Sequence, residues 1–184
     1  MRIVAGMFKG RRLQGPASDD VRPTSDRLRE TLFNVLGPSV QGRRALDAFA
    51  GTGAVGLEAI SRGAVFVTFY ERDPRAWRVA EANIVQCGVG DSCEMIRGDF
   101  LQSKGKADCD IVFLDPPYDD GGLNVLLRVA GSHATPGGVI VLEHRRSRET
   151  PLDEGGLVRT RVLMSGDSGL SFYERAPSTI ESAP

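Results

Sequence analysis

The sequence predicts an α/β domain built on a mostly parallel sheet, with a ligand edge at the carboxyl ends of the strands. Two observations predict it. Ile111-Val-Phe-Leu114 is a short unbroken apolar run that ends in Asp115-Pro116-Pro117-Tyr118. Such a run suits a strand buried on both faces. Neither proline can donate to a ladder, so the strand ends near Asp115 and a stiff turn displays Asp115 and Tyr118. Further upstream, the strand-like stretch Arg44 to Ala50 leads into Gly51-Thr-Gly53-Ala-Val-Gly56. These glycines fit a tight strand-to-helix turn where a ligand can approach the backbone. Glu71 ends the next apolar run, twenty residues after Gly51 (71 − 51). An acid at that distance commonly takes a ribose hydroxyl pair.

The elements follow in order. Residues 1–14 read as two short strands around a turn, with β-branched Ile3 and Val4 and punctuation by Gly6 and Gly10. Residues 15–24 are a loop. A helix is expected from Ser25 to Leu36, capped by Thr24 or Ser25 and stopped by Gly37-Pro38, with Leu28, Leu32, Val35 and Leu36 on one face. The helix after the glycine turn runs to Gly63, and Ala64 to Tyr70 is the second strand. Asp73 caps the next helix, Pro74 opens it and Gly88 closes it. Its apolar face, Trp77, Ala80 and Ile84, reads as core. Glu94 to Arg97 is a third strand, followed by Asp99, placed to meet an adenine amino group, and by Phe100 beside the ring. Asp110 to Leu114 is the fourth strand, Leu123 to Ser132 a helix and Val139 to Glu143 the fifth strand. The charged run Glu143 to Glu149 reads as a solvated loop offering Arg145, Arg146 and Arg148 to phosphate. Leu157 to Met164 and Leu170 to Arg175 form a closing antiparallel pair, and residues 176–184 a frayed tail.

Composition sets bounds. The chain has 184 residues, 41% hydrophobic and 26% charged, the profile of one globular domain. No stretch approaches a membrane span, and no secretory leader is expected. Three cysteines without a C-x-x-C pair suit reduced thiols in the cytoplasm, and two histidines argue against a zinc site. The net charge is −1, yet residues 1–15 hold Arg2, Lys9, Arg11 and Arg12 and no acid, a local charge of +4. A local basic patch is enough to meet phosphate.

The Asp-Pro-Pro-Tyr turn suits attack by an exocyclic base amine on a methyl cation donor. That amine is planar, its lone pair spread into the ring. Asp115 and the carbonyl of Pro116 can accept its N–H bonds and favour a more nucleophilic nitrogen, while Tyr118 offers a stacking face. The glycine pattern alone would equally fit a nicotinamide-dependent oxidoreductase. Asp47 ahead of the glycines, and the lack of a Tyr-x-x-x-Lys group, favour an S-adenosylmethionine loop.

In that order of parts the chain resembles amino-methyltransferases acting on bases. Arg2-Ile-Val-Ala-Gly6, Lys9 to Leu13, Val21 to Leu36, Leu46 to Gly63 and Ser168 to Glu174 are similar to the bacterial 16S ribosomal RNA guanine-N2 methyltransferases that modify guanine 966. The resemblance runs from Arg2 to Glu174 and departs at the arm's turn, which reads Met7-Phe8-Lys9. It implies a Rossmann-like class I methyltransferase sheet of seven strands, order 3-2-1-4-5-7-6 with one antiparallel, behind an N-terminal β-hairpin. It implies an RNA-binding extension over 1–36, a methyltransferase domain over 37–176 and a tail over 177–184. The implied cofactor is S-adenosylmethionine, held by Asp47, Gly51, Gly53, Glu71, Asp99 and Phe100. The implied catalytic residues are Asp115, Pro116 and Tyr118. Those toward RNA are Arg2, Lys9, Arg11, Arg12, Arg22 and Thr24. The expected partner is 16S ribosomal RNA or the small subunit, met by a cytoplasmic monomer without metal. Two rivals share parts of this pattern: a DNA adenine or cytosine amino-methyltransferase, and a non-catalytic RNA-binding protein.

Overall fold

The computed structural model describes residues 1–15, 26–117 and 122–175. Five segments form its parallel strands: β1 (Arg44–Asp47), β2 (Phe66–Glu71), β3 (Cys93–Arg97), β4 (Cys109–Leu114) and β5 (Ala134–Arg145). A chain that leaves a strand and must return parallel to it needs a crossover. The crossovers here include α2 (Ala54–Ser61), α3 (Pro74–Cys87) and α4 (Leu123–His133). After β5 come β6 (Asp153–Glu154), β7 (Leu157–Ser165) and β8 (Ser168–Arg175), giving the sheet order β3-β2-β1-β4-β5-β8-β7-β6. β8 lies antiparallel between β5 and β7. This is the order the resemblance implies, with one addition: β6, two residues long, makes the sheet eight-stranded.

The central strands bury both faces, as their unbroken apolar runs require. Ile111 and Phe113 of β4 join the core under α2, α3 and the N-terminal helix α1 (Asp26–Leu36), while Val112 and Leu114 join the core under α4. Asp73 caps α3 by accepting from the Arg75 N–H at 2.7 Å, Pro74 opens the helix and Gly88 ends it in a left-handed conformation.

The helix α1 ends at Leu36 as expected, and Gly37-Pro38 opens a 3₁₀ turn, Gly37–Val40. Three expectations change. β1 stops at Asp47, where a turn at Ala48 and Phe49 follows. The N-terminal hairpin holds a single bridge, Arg2 to Arg12. Glu143 and His144 are buried within β5, so the solvated stretch begins only at Arg145. The expected caps Thr24 and Ser25 lie outside the described residues.

The arm before α1 is fastened to the domain. Glu58 of α2 is fully buried and accepts from Val4 N (2.7 Å), Ala5 N (2.9 Å) and Arg62 Nε (2.8 Å). Arg29 of α1, also fully buried, lies 3.6 Å from the same carboxylate and donates to the Arg2 carbonyl at 2.5 Å. A buried carboxylate is tolerated when its lone pairs are met in this way. Ile3 and Leu13 complete the attachment by joining the core of α1 and α2.

Candidate active site

The carboxyl ends of β1, β2 and β4 open into one cavity of about 550 Å³, where an open α/β sheet places its ligands. On one side lie the glycine turn, Glu71, Asp99 and Phe100; on the other lie Asp115, Pro116 and Pro117. Residues far apart in sequence meet here because parallel strands end at the same edge.

The glycine turn is shaped by its backbone. Gly51 and Gly53 adopt φ of +54° and +77°, a region open to glycine at little cost. Gly53 thereby starts α2, and a side chain there would lie 3.5 Å from Ala80 of α3. Glu71 fixes the turn: Oε2 accepts from Gly51 N at 2.8 Å and Oε1 from Asp73 N at 2.7 Å. Each carboxylate oxygen can accept a second bond, so a ribose diol can still be received.

Asp47 is 3% exposed, and its Oδ2 accepts from Gly56 N at 3.0 Å. Burial pushes its carboxyl up from 3.8 to about 7, with repulsion from Asp115 and Glu71 adding to the rise, against the lowering N–H groups of Gly56 and Phe49. Asp99 spends one oxygen capping a 3₁₀ turn, accepting from Leu101 N at 3.0 Å. Phe100 packs edge-on against Tyr70, with centroids 5.5 Å apart, and floors the cavity. Pro116 is buried and Pro117 exposed. Tyr118, Arg22 and Thr24 lie outside the described residues.

The charge of the cavity tests its ligand. Asp47, Glu71, Asp73, Asp99, Asp115 and Glu143 line it, with Arg72 and Arg75 as the lining cations. A cavity lined by more carboxylates than cations fits a ligand carrying positive charge. S-adenosylmethionine, with its sulfonium and ammonium groups, meets that condition. Among the described residues no cluster of His, Cys, Asp and Glu is arranged to hold a metal, and no helix is long and apolar enough to cross a membrane.

The basic arm residues divide. Arg2, Lys9 and Arg12 are exposed. Arg11 instead donates to the carbonyls of Gln86 (3.0 Å) and Cys87 (3.1 Å) at the end of α3, and its guanidinium lies 4.8 Å from the Phe8 ring centroid. Its Nη1 group is engaged in holding the arm, while its positive charge is not neutralised there, so it has a structural task that Arg2, Lys9 and Arg12 lack. Glu143 was missed in sequence reading. Its signal was present: Val139-Ile-Val-Leu-Glu143 repeats the pattern of Ile111-Val-Phe-Leu-Asp115, an apolar run ending in an acid.

Residues 1–174 match the family model described as Conserved hypothetical protein 95. The chain belongs to that family. It is 36% identical over 182 residues to "Putative rRNA methyltransferase YlbH" of Bacillus subtilis, covering 95% of this chain and 99% of that one. It is 41% identical over 124 residues to "Ribosomal RNA small subunit methyltransferase D" of Escherichia coli, covering 66% of this chain and 62% of that protein. Among solved structures, "Putative methyltransferase yhhF" from Escherichia coli superposes with a TM-score of 0.84 at 32% identity, covering 97% of this chain and 99% of that one. The sheet order and these relatives make the fold that of class I methyltransferases.

Proposed function

We propose that this family member transfers a methyl group from S-adenosylmethionine to the exocyclic N2 of a guanine in 16S ribosomal RNA, guanine 966 by the family resemblance. One observation carries the reading: the Glu71-anchored glycine turn and the Asp115-Pro116 turn open into the same cavity. The relatives' ribosomal RNA methyltransferase names support the substrate class.

When bound, S-adenosylmethionine supplies an activated methyl group. Glu71 and the glycine turn would hold its ribose and methionine ends, and Asp99 and Phe100 its adenine. Asp115 and the Pro116 carbonyl then face the amine. By accepting N–H bonds they would draw the N2 lone pair out of ring conjugation and orient it toward the bound cofactor. Methyl transfer would release S-adenosylhomocysteine, and Asp115 would accept the proton that N2 loses and pass it to solvent. Because the donor is already activated, positioning and electrostatics supply the catalysis rather than strong base chemistry. Tyr118 stacks on the unpaired base.

Residues 1–36 serve as the RNA-binding extension, in which Arg2, Lys9 and Arg12 meet phosphates and Arg22 and Thr24 are further candidates by sequence, and residues 37–176 as the catalytic unit. The protein works as a cytoplasmic monomer on the RNA or the small subunit. The deciding experiment incubates unmodified small-subunit RNA, free and in subunits, with labelled methyl donor, digests it and identifies the labelled nucleoside. N2-methylguanosine is expected. Label in adenosine or cytidine, in DNA alone, or nowhere would overturn the reading.

A further inference from the structure

Glu143 is a second carboxylate at the catalytic edge that this mechanism leaves without a task. β4 and β5 pair in parallel, with Leu114 opposite Leu142. The next residues of the two strands are Asp115 and Glu143, about 5 Å apart at the backbone by the spacing of neighbouring strands. Side chains alternate along a strand with a period of two. Phe113 and Val141 both face the core under α1. Glu143, two residues on within β5, stands on that same face, and Asp115, directly after the end of β4, lines the same cavity with it and with Leu28 and Leu32 of α1.

The strand holds Glu143 firmly. It is 8% exposed, and Ser168 of β8 donates to its Oε1 at 3.3 Å. His144 beside it is buried on the opposite face: its Nδ1–H donates to the Arg145 carbonyl at 2.8 Å, so its Nε2 accepts from Ser171 Oγ at 3.0 Å. Ser171 in turn meets Thr150 Oγ1 at 2.9 Å. A buried, fully connected polar network of this kind fixes the end of β5.

A carboxylate set beside Asp115 has a distinctive partner among the bases. Guanine presents N1–H and the N2 amine side by side, two donors in a row. Adenine and cytosine place a bare ring nitrogen next to their amine, and a carboxylate would face its lone pair. We infer that Glu143 reads the target base by accepting guanine N1–H while Asp115 orients N2, so that the paired carboxylates of β4 and β5 select guanine. The inference rests on the proposed function and adds the residue that sets its base specificity. Carboxylates are acceptors only, which makes the selection a matter of sign rather than of fit.

The test compares two RNAs that differ at the guanosine the wild type methylates: one keeps it, the other carries 2-aminopurine riboside. 2-Aminopurine keeps the N2 amine and replaces N1–H by an acceptor nitrogen. The wild type should prefer guanine in kcat/KM by about 10- to 100-fold, the scale of one well-placed base contact. Glu143→Gln can offer an amide N–H to the bare N1 and an oxygen to N1–H, so the preference should collapse, with methylation of the 2-aminopurine RNA rising in absolute terms. Glu143→Ala should also lose the preference, without that rise. Affinity for S-adenosylhomocysteine, measured by calorimetry, should match wild type in both variants, and activity on the analogue itself reports a folded Glu143→Gln protein. An unchanged preference in Glu143→Gln, or variants that bind S-adenosylhomocysteine and lose activity on both RNAs in equal proportion, would overturn the role of Glu143 alone. A wild type that yields no N2-methylguanosine would overturn the proposed function, and this inference with it.

Discussion

Neutralising the arm's exposed cations should weaken RNA binding without touching the cofactor site, and the structure sets the size of the effect. Arg11 is engaged at the end of α3. Arg2, Lys9 and Arg12 remain exposed. If each of these three meets one phosphate, their share of the log–log salt slope is roughly −2, at about −0.7 per contact for single strands. The Arg2→Gln, Lys9→Gln, Arg12→Gln triple variant should therefore flatten the slope by about 2 units. Anisotropy titrations of labelled RNA between low and moderate salt read this directly, and calorimetry with S-adenosylhomocysteine should give wild-type affinity. Deleting residues 1–14 would be a poor substitute. It strips Val4 and Ala5 N–H from the buried Glu58 carboxylate, each charge-assisted bond contributing about 1.5–3 kcal/mol. It also removes Ile3 and Leu13 from the core, about 1.5–3 kcal/mol each. The sum rivals the roughly 5–15 kcal/mol that holds a domain together. The truncated chain should fail to fold. A folded triple variant with the wild-type slope would refute the phosphate role of these residues, and a truncation that melts cooperatively near wild type would refute the clamp.

Three further outcomes are expected. Glu71→Ala should weaken cofactor binding by about 1–3 kcal/mol, because it frees the Gly51 and Asp73 N–H groups as well as losing an acceptor; unchanged calorimetric affinity in a folded variant would remove Glu71 from the site. Asp115→Ala should lower single-turnover methylation by roughly 10²-fold or more with a smaller effect on cofactor affinity, and near-wild-type rates would contradict the mechanism. Asp47, whose carboxyl is raised to about 7 by burial, holds a proton in the fold that the unfolded chain releases above about pH 4. The stability of the ligand-free protein should therefore fall as pH rises from about 4 to 7, by up to about 4 kcal/mol for this group. Asp47→Asn should flatten that fall in chemical denaturation curves, and an equal pH dependence in both proteins would show that Asp47 ionises freely.

What could be read from the sequence was local chemistry repeated at the right interval. The Asp73-Pro74 start and Gly88 end of α3 came from cap chemistry and stand as expected. The five parallel strands came from short apolar runs, and the cavity from Gly51, Glu71 and Asp115 at the run ends. What could not be read depended on which distant groups would meet. Arg11 looks like any arm cation until the end of α3 is set against it. Glu58 and Arg29 look like surface charges on two helices until both are buried at the arm. Glu143 sat at the head of a charged run, and the sign of its neighbours argued for solvent. Only the pairing of β5 with β8 draws Glu143 and His144 into the sheet.

The net charge of −1 conceals two opposed local fields, and their separation bears on how RNA would enter. The arm is cationic; the cavity is lined by six carboxylates against two arginines. A phosphate is attracted to the first and repelled from the second, so the backbone must stay outside while something uncharged goes in. A flipped guanine meets that requirement, since it carries no charge and offers donors to an acceptor-rich wall. Flipping costs a few kcal/mol unless the base is already unpaired. A single-stranded loop or an unpaired position in a folded RNA is therefore the substrate these fields favour. A continuous duplex would bring its phosphates to the acidic mouth and be refused there.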